Sequence, residues 1–165
     1  MENSERIALL EANLGRQLQW ISWSDTKSAF IFTLVAAMVG VLATIAPDRA
    51  AEWSTLQAVS ASFAIAASVA AFVFLSLAAF PRTSGPKGSL VYCGGVAQRE
   101  IHQFYSEISS VPQEDYIQDL ASQCHRNAVI ACEKFAWVQR AMIALYLAIG
   151  PWAVALWLLY SAGEA

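Results

Sequence analysis

Gly94-Gly95 stands directly ahead of a stretch with helical periodicity, and Arg99 follows one turn on. Backbone N–H groups at such a start, with a guanidinium close by, suit an anion such as a phosphate. Tyr92, Tyr105, Tyr116 and Trp20 supply faces on which a base can stack, and Asn127 and Gln123 supply amides able to read its edge. Arg126, Lys134 and Arg140 are further cations able to neutralise a phosphate. Each of these residues has an ordinary use too, as a helix cap or a solvated surface group, and taken singly their types favour that use.

Reaction chemistry finds less support. There is no Ser/His/Asp spacing of note, no Walker-type loop and no G-x-G-x-x-G. Glu114-Asp115 falls in the first turn of a helical stretch, where carboxylates complement the helix dipole rather than form an acid–base pair. Cys93, Cys124 and Cys132 have no C-x-x-C spacing, and His102 and His125 complete no ligand set. Cys124 and Cys132 are eight residues apart, about 12 Å along a helix and too far for one metal. The expectation is a protein that is no enzyme and carries no metal or cofactor, with its cysteines serving as small buried side chains.

The elements that must position the polar set are set by three uncharged apolar runs. Ser28–Ala46, Leu56–Phe80 and Ala141–Tyr160 contain no Asp, Glu, Lys or Arg. As helices each is long enough to cross a hydrocarbon core of about 30 Å. Three crossings put the N-terminal segment and the 81–140 connection on one face, and the 47–55 turn on the other. Arg6, Arg16, Lys27, Arg82, Lys87, Arg99, Arg126, Lys134 and Arg140 fall on the first face and only Arg49 on the second. The excess of positive charge places the first face in the cytoplasm. An apolar fraction of 57% with 14% charged residues agrees with a membrane protein. Buried core helices of a soluble bundle are the alternative, and the charge asymmetry argues against it. A net charge of −3, with basic residues spread out, gives no surface for nucleic acid. Glu2, Glu5 and Glu11 stand where a signal peptide would need basic residues, so the first span is expected to act as the insertion signal.

The predicted organisation is therefore all-α: a cytoplasmic amphipathic helix over 1–26, spans over 28–46, 56–80 and 141–160, and a mostly helical cytoplasmic module over 81–140. Ile7, Leu10, Leu14, Leu18 and Ile21 form the stripe of the first helix, and Trp20 and Trp23 suit the membrane boundary. Trp53 would anchor the opposite turn. Arg82–Gly88 reads as a loop, Ser89–Cys93 as an extended stretch or one short strand, and 96–109 as a helix striped by Ile101, Phe104, Tyr105 and Ile108. Ser110 with Gln113 has the form of a capping box, with Pro112 between them. No Gly or Pro then interrupts until Gly150-Pro151, which predicts one long helix entering the third span with a kink inside it. Ser60, Ala64 and Ser68 in the second span and Ala36 and Gly40 in the first put small residues four apart, as at close helix contacts in lipid, within one chain or between subunits.

Several segments resemble the Pycsar effector transmembrane family (PycTM). They are Ala12 to Ile21, Asp25 to Phe30, Ser89 to Gly94 (with Cys93 where the pattern has an aromatic), Tyr116 to Gln123, Asn127-Ala128 and Lys134-Phe135. The resemblance implies an effector of bacterial antiphage defence that acts downstream of a pyrimidine cyclase without touching it. Such an effector senses cUMP or cCMP and impairs the inner membrane, stopping growth before phage mature. The expected nucleotide-binding residues are Arg16, Trp20, Lys27, Tyr92, Gly94, Arg99, Asn127 and Lys134, with Arg99 and Lys134 on the phosphate. The expected partners are the lipid bilayer, the cyclic nucleotide and further copies of the chain. The competing expectations are a ligand-independent accessory subunit of a membrane complex and a holin-like pore former.

Overall fold

The computed structural model describes residues 2–47, 53–82 and 84–163. Arg49, most of the 47–55 turn and Thr83 lie outside them. In chain order the helices are α1 (Asn3–Ile45), α2 (Thr55–Ala79), α3 (Cys93–Ala97), α4 (Ile101–Ser110) and α5 (Gln113–Gly163). The described residues contain no strand. Helices α1, α2 and α5 are long and apolar enough to cross a membrane.

Ser89–Cys93, expected as an extended stretch or one short strand, forms a tight bend instead, and the reason is local. Ser89 Oγ accepts hydrogen bonds from the backbone N–H of Val91 at 3.1 Å and of Tyr92 at 2.8 Å, which curls the chain. The Asp119 carboxylate accepts from the Leu90 N–H at 2.6 Å and pins the bend to α5. Beyond it, the single helix expected over 96–109 is two, α3 and α4, with a turn at Gln98–Glu100 between them. The capping box also falls elsewhere. Ser110 ends α4 and donates to the Ser106 carbonyl at 2.8 Å, whereas Ser54 and Gln57 form the reciprocal box that opens α2.

The chain divides into two compact units, and neither follows the boundaries read from hydropathy. The first comprises Met1–Ser24 and Pro81–Glu133, the second Asp25–Phe80 and Lys134–Ala165. Helices α1 and α5 contribute to both. In the first unit Arg6 pairs with Glu114 at 2.9 Å, and the Cys124 thiol donates to the Leu10 carbonyl at 3.4 Å. In the second, Lys134 forms an ion pair with Asp25, and Trp152 Nε1 donates to the Met38 carbonyl at 2.8 Å. Partners on α1 and α5 stay about 110 residues apart within each unit (from 108 to 114), so the two helices run parallel. The N-terminal helix thus joins the central module because its apolar stripe needs α5 for burial: Ile117, Leu120 and Cys124 supply the buried face.

The second unit is a three-helix packing around Ile31, Val35 and Met38 of α1, Ala71, Leu75 and Ala78 of α2, and Val138, Ala141, Leu145 and Ala148 of α5. Leu42, Ala61, Ala64, Ala155 and Leu159 continue it. Ser60, Ala64 and Ser68 are all buried in this unit. The small-residue face of α2 is consumed within the chain, and Ala36 and Gly40 remain on the exposed side of α1. Pro151 lies inside α5, which continues through it.

Candidate functional site

A cleft of about 340 Å³ opens within the first unit between α1, the 82–93 segment and α5. That volume lies in the range of about 300–1,000 Å³ usual for small-ligand sites. Gln123, Arg126, Asn127 and Ile130 of α5 line one wall, because steps of three and four residues share a helix face. Leu14 and Leu18, one turn apart on α1, form an apolar wall. Arg82, Ser84, Val91, Tyr92 and Cys93 close the rest.

The polar groups divide into two sets. Arg82 pairs with Glu133 at 2.8 Å, and Arg126 clasps Ser84, donating from Nε to its carbonyl at 2.8 Å and from Nη2 to its hydroxyl at 2.5 Å. The second set is the amide pair. Gln123 Nε2 donates to Asn127 Oδ1 at 3.1 Å, both side chains are buried, and Gln123 Oε1 has no hydrogen-bond partner. Leaving a buried carbonyl unsatisfied costs about 1–3 kcal/mol, which a ligand with a free N–H would recover. Tyr92 lines the cleft as well. Its ring is packed so closely that a β-carbon at Gly85 or Gly94 would come within 2.5 Å of it.

A second hollow, of about 280 Å³, is lined by Lys87, Asp115, Tyr116 and Asp119. Its carboxylates oppose an anion, and Tyr116 shows the same field: burial, then Glu11 and Asp119, raise its phenol above the ordinary value. The cleft with two arginines is the better anion site.

Of the residues expected from sequence, the structure brings Tyr92 and Asn127 into the cleft, with Gly94 behind the Tyr92 ring. Arg99 is committed elsewhere. Its Nε pairs with Glu107 at 2.7 Å, Nη1 donates to the carbonyls of Ser89 and Gly95 at 2.9 and 2.6 Å, and Nη2 to that of Gly88 at 2.5 Å. It clamps the 88–99 segment, including Gly88 at φ +74°, a left-handed conformation that glycine adopts without strain. Hydrogen bonds from Gln103 and then Arg99 hold the Glu107 carboxyl below the usual carboxylate range. Gly95 is glycine because a β-carbon would meet the Ser89 carbonyl at 2.5 Å. The glycine pair therefore serves close packing, and α3 is a single short turn rather than an anion-binding helix end.

Lys134 is buried and paired with Asp25 in the second unit. Lys27, in the same unit, edges an apolar groove with Phe30, Leu34 and Tyr146. Arg16 and Trp20 are exposed on α1 and do not line the cleft. Tyr105 is exposed on α4, and Arg140 lies over the Trp137 ring at 4.3 Å. Gln123 and Arg126, weighed for their residue types but left out of the expected nucleotide-binding set, line the cleft, and so do Arg82 and Ser84, which sequence did not single out as ligand groups. The helix-face spacing of Gln123, Arg126, Asn127 and Ile130 is the signal that points to most of that wall. Among the described residues, no group of three or more His, Cys, Asp or Glu could hold a metal.

Fold and cleft together define an all-helical, multi-pass membrane protein with a ligand-sized cleft lined by arginines and amides. The chain belongs to the PycTM family: the family's profile, described as "Pycsar effector protein domain", matches residues 9–161. The Pycsar effector protein PtPycTM of Propioniciclava tarda is 25% identical over 134 residues, covering 76% of this chain and 66% of the relative's own length. The match thus spans just under two thirds of that relative. No solved structure matches. Membership places the chain among the Pycsar effector proteins.

Proposed function

We propose that this chain is the membrane effector of a pyrimidine cyclase system, which binds cUMP or cCMP in the first unit and then impairs the inner membrane. The observation that carries this reading is the cleft: two arginines and an unsatisfied buried amide converge on a space of nucleotide size. A cyclic mononucleotide carries one negative charge, which one or two guanidinium groups can match. Tyr92, Leu14 and Leu18 offer the flat base an apolar setting.

Arg82 and Arg126 are now held by Glu133 and Ser84. A phosphate competing for them loosens the 82–88 segment that follows the second span, and it draws on α1 and α5, which build both units. The ligand shifts the helices only as far as its affinity differs between their two arrangements. In this reading the first unit faces the cytoplasm of a bacterial inner membrane, as the distribution of basic residues directs. Homo-oligomers form within the membrane, where Ala36 and Gly40 leave an open small-residue face. The cyclase acts through its diffusible product alone, and the chain catalyses nothing.

Two measurements on the detergent-purified chain test the reading. Calorimetric titration with cUMP, cCMP, cAMP and cGMP should show micromolar binding of a pyrimidine and none of the purines. The same nucleotide should then trigger dye release from liposomes containing the protein. Release without nucleotide would instead mark a ligand-independent pore former. A folded protein that neither binds nor releases dye would be an accessory subunit.

A further inference from the structure

The two halves of the cleft make different demands on a ligand. Arg82 and Arg126 accept any phosphate ester and carry no information about the base. Leu14, Leu18 and Ile130 are apolar and accept any flat ring. Besides the hydroxyls of Ser84 and Tyr92, the uncharged polar groups of the lining are the amides of Gln123 and Asn127, and that pair holds a spare acceptor.

Gln123 is 8% exposed and Asn127 5%, and the bond from Gln123 Nε2 to Asn127 Oδ1 uses one donor and one acceptor between them. What stays unused on Gln123 is an acceptor, its buried Oε1. Exchanging O and N in both amides would keep one bond between them and move the unspent acceptor to Asn127, so the pair holds one in either assignment. The terminal torsion of a glutamine is broad, so the carboxamide can turn toward the cleft when a donor arrives.

We infer that Gln123, oriented by Asn127, reads the base by accepting a hydrogen bond from an N–H on the pyrimidine's pairing edge. This rests on the nucleotide reading above. The donor is N3–H in uracil and the 4-amino group in cytosine, so each pyrimidine offers one. A ligand that lacks such a donor leaves the carbonyl buried and unpaired, which is the larger source of discrimination in polar sites.

The test compares cUMP with N3-methyl-cUMP, and cCMP with its N4,N4-dimethyl derivative, by titration of the full chain in detergent. On the native chain, the parent of the pair that binds should exceed its methylated form by about 10- to 100-fold. In Gln123→Met, which keeps length and helix propensity without the carbonyl, that ratio should fall to about one. Gln123→Glu keeps an acceptor and should retain the preference for the parent. Equal binding of parent and methylated forms to the native chain overturns the inference while the nucleotide reading stands. So does a ratio that persists in Gln123→Met. Failure of every nucleotide to bind the native chain overturns both.

Discussion

Arg99 and Arg126 show how one residue type serves two ends. Both carry a delocalised cation, and both lie near backbone carbonyls of the 84–99 segment. Arg99 spends its fork on three carbonyls and the Glu107 carboxylate, so its removal unpins the bend that carries Tyr92. Arg99→Ala should cost about 2–3 kcal/mol, read as a fall of several degrees in unfolding temperature. Arg126→Ala should leave that temperature nearly unchanged and weaken nucleotide binding at least about tenfold. A larger affinity loss for Arg99→Ala, measured while that variant is still folded, would move the phosphate away from Arg126. In sequence the two are indistinguishable, since a guanidinium beside a glycine pair looks alike whether its acceptors are protein carbonyls or a ligand. Only the fold reveals that Gly88, Ser89 and Gly95 turn their carbonyls to Arg99. Titration adds a second residue-scale effect. Burial raises the Cys124 thiol, and burial with Glu11 and Asp119 raises the Tyr116 phenol. Both hold their protons longer in the folded chain. As pH rises past the ordinary values of 9.0 and 10.0 the unfolded chain loses them first, and stability falls. Chemical denaturation midpoints at pH 8 and about pH 10.5 should show this, with a smaller drop in Cys124→Ala.

At the scale of elements, the three spanning helices were legible because an uncharged apolar run of that length has few other uses. Their ends were less so. Helices α1 and α5 extend far beyond the apolar runs; the reach of α5 follows from the lack of Gly or Pro between Gln113 and Gly150, whereas α1 runs on through Gly15. The cap went to Ser54–Gln57 rather than Ser110–Gln113, because Ser110 was already bonded back into α4. Small residues posed a question that sequence leaves open, whether their face meets the same chain or another copy. On α2 it meets the same chain. Ala64, 1% exposed, touches the core shared with Leu42 and Leu159, so Ala64→Leu should overpack it by about 1–3 kcal/mol. Ala36→Leu, on the open face of α1, should leave the monomer's stability in detergent unchanged. If Ala36→Leu also abolishes a cross-linked oligomer, the open face is where copies meet. Neither change alters the charge balance of the spans, so insertion is held constant in the comparison.

For the whole molecule, the hydropathy boundary and the packing boundary disagree in an informative way. Sequence places 1–26 and 81–140 in separate segments, whereas packing unites Met1–Ser24 with Pro81–Glu133. Periodicity shows that each segment has an apolar stripe; it does not say which stripe covers which. Sidedness is testable with the native thiols. Cys93 and Cys132 are exposed and Cys124 is buried. A membrane-impermeant maleimide should label the first two in inside-out vesicles, leave them untouched in intact spheroplasts, and reach Cys124 only after denaturation. Labelling of Cys93 from the outer face would invert the topology.

The near-constant spacing of the α1–α5 partners also constrains how the chain is made. Leu10 waits for Cys124, Asp25 for Lys134 and Met38 for Trp152, each more than 100 residues further along. A ribosome therefore releases α1 and α2 into the membrane well before any stretch of α5 exists to meet them. The early pair lacks both the third helix of its core and the wall that bears Gln123 and Arg126. Contacts of such sequence separation form late and slowly. The first and second units are completed by the same final segment, in one order, N-terminal partners of α5 first. A nascent or truncated chain ending before about residue 120 has neither a cleft nor a finished bundle, so neither unit exists without the other.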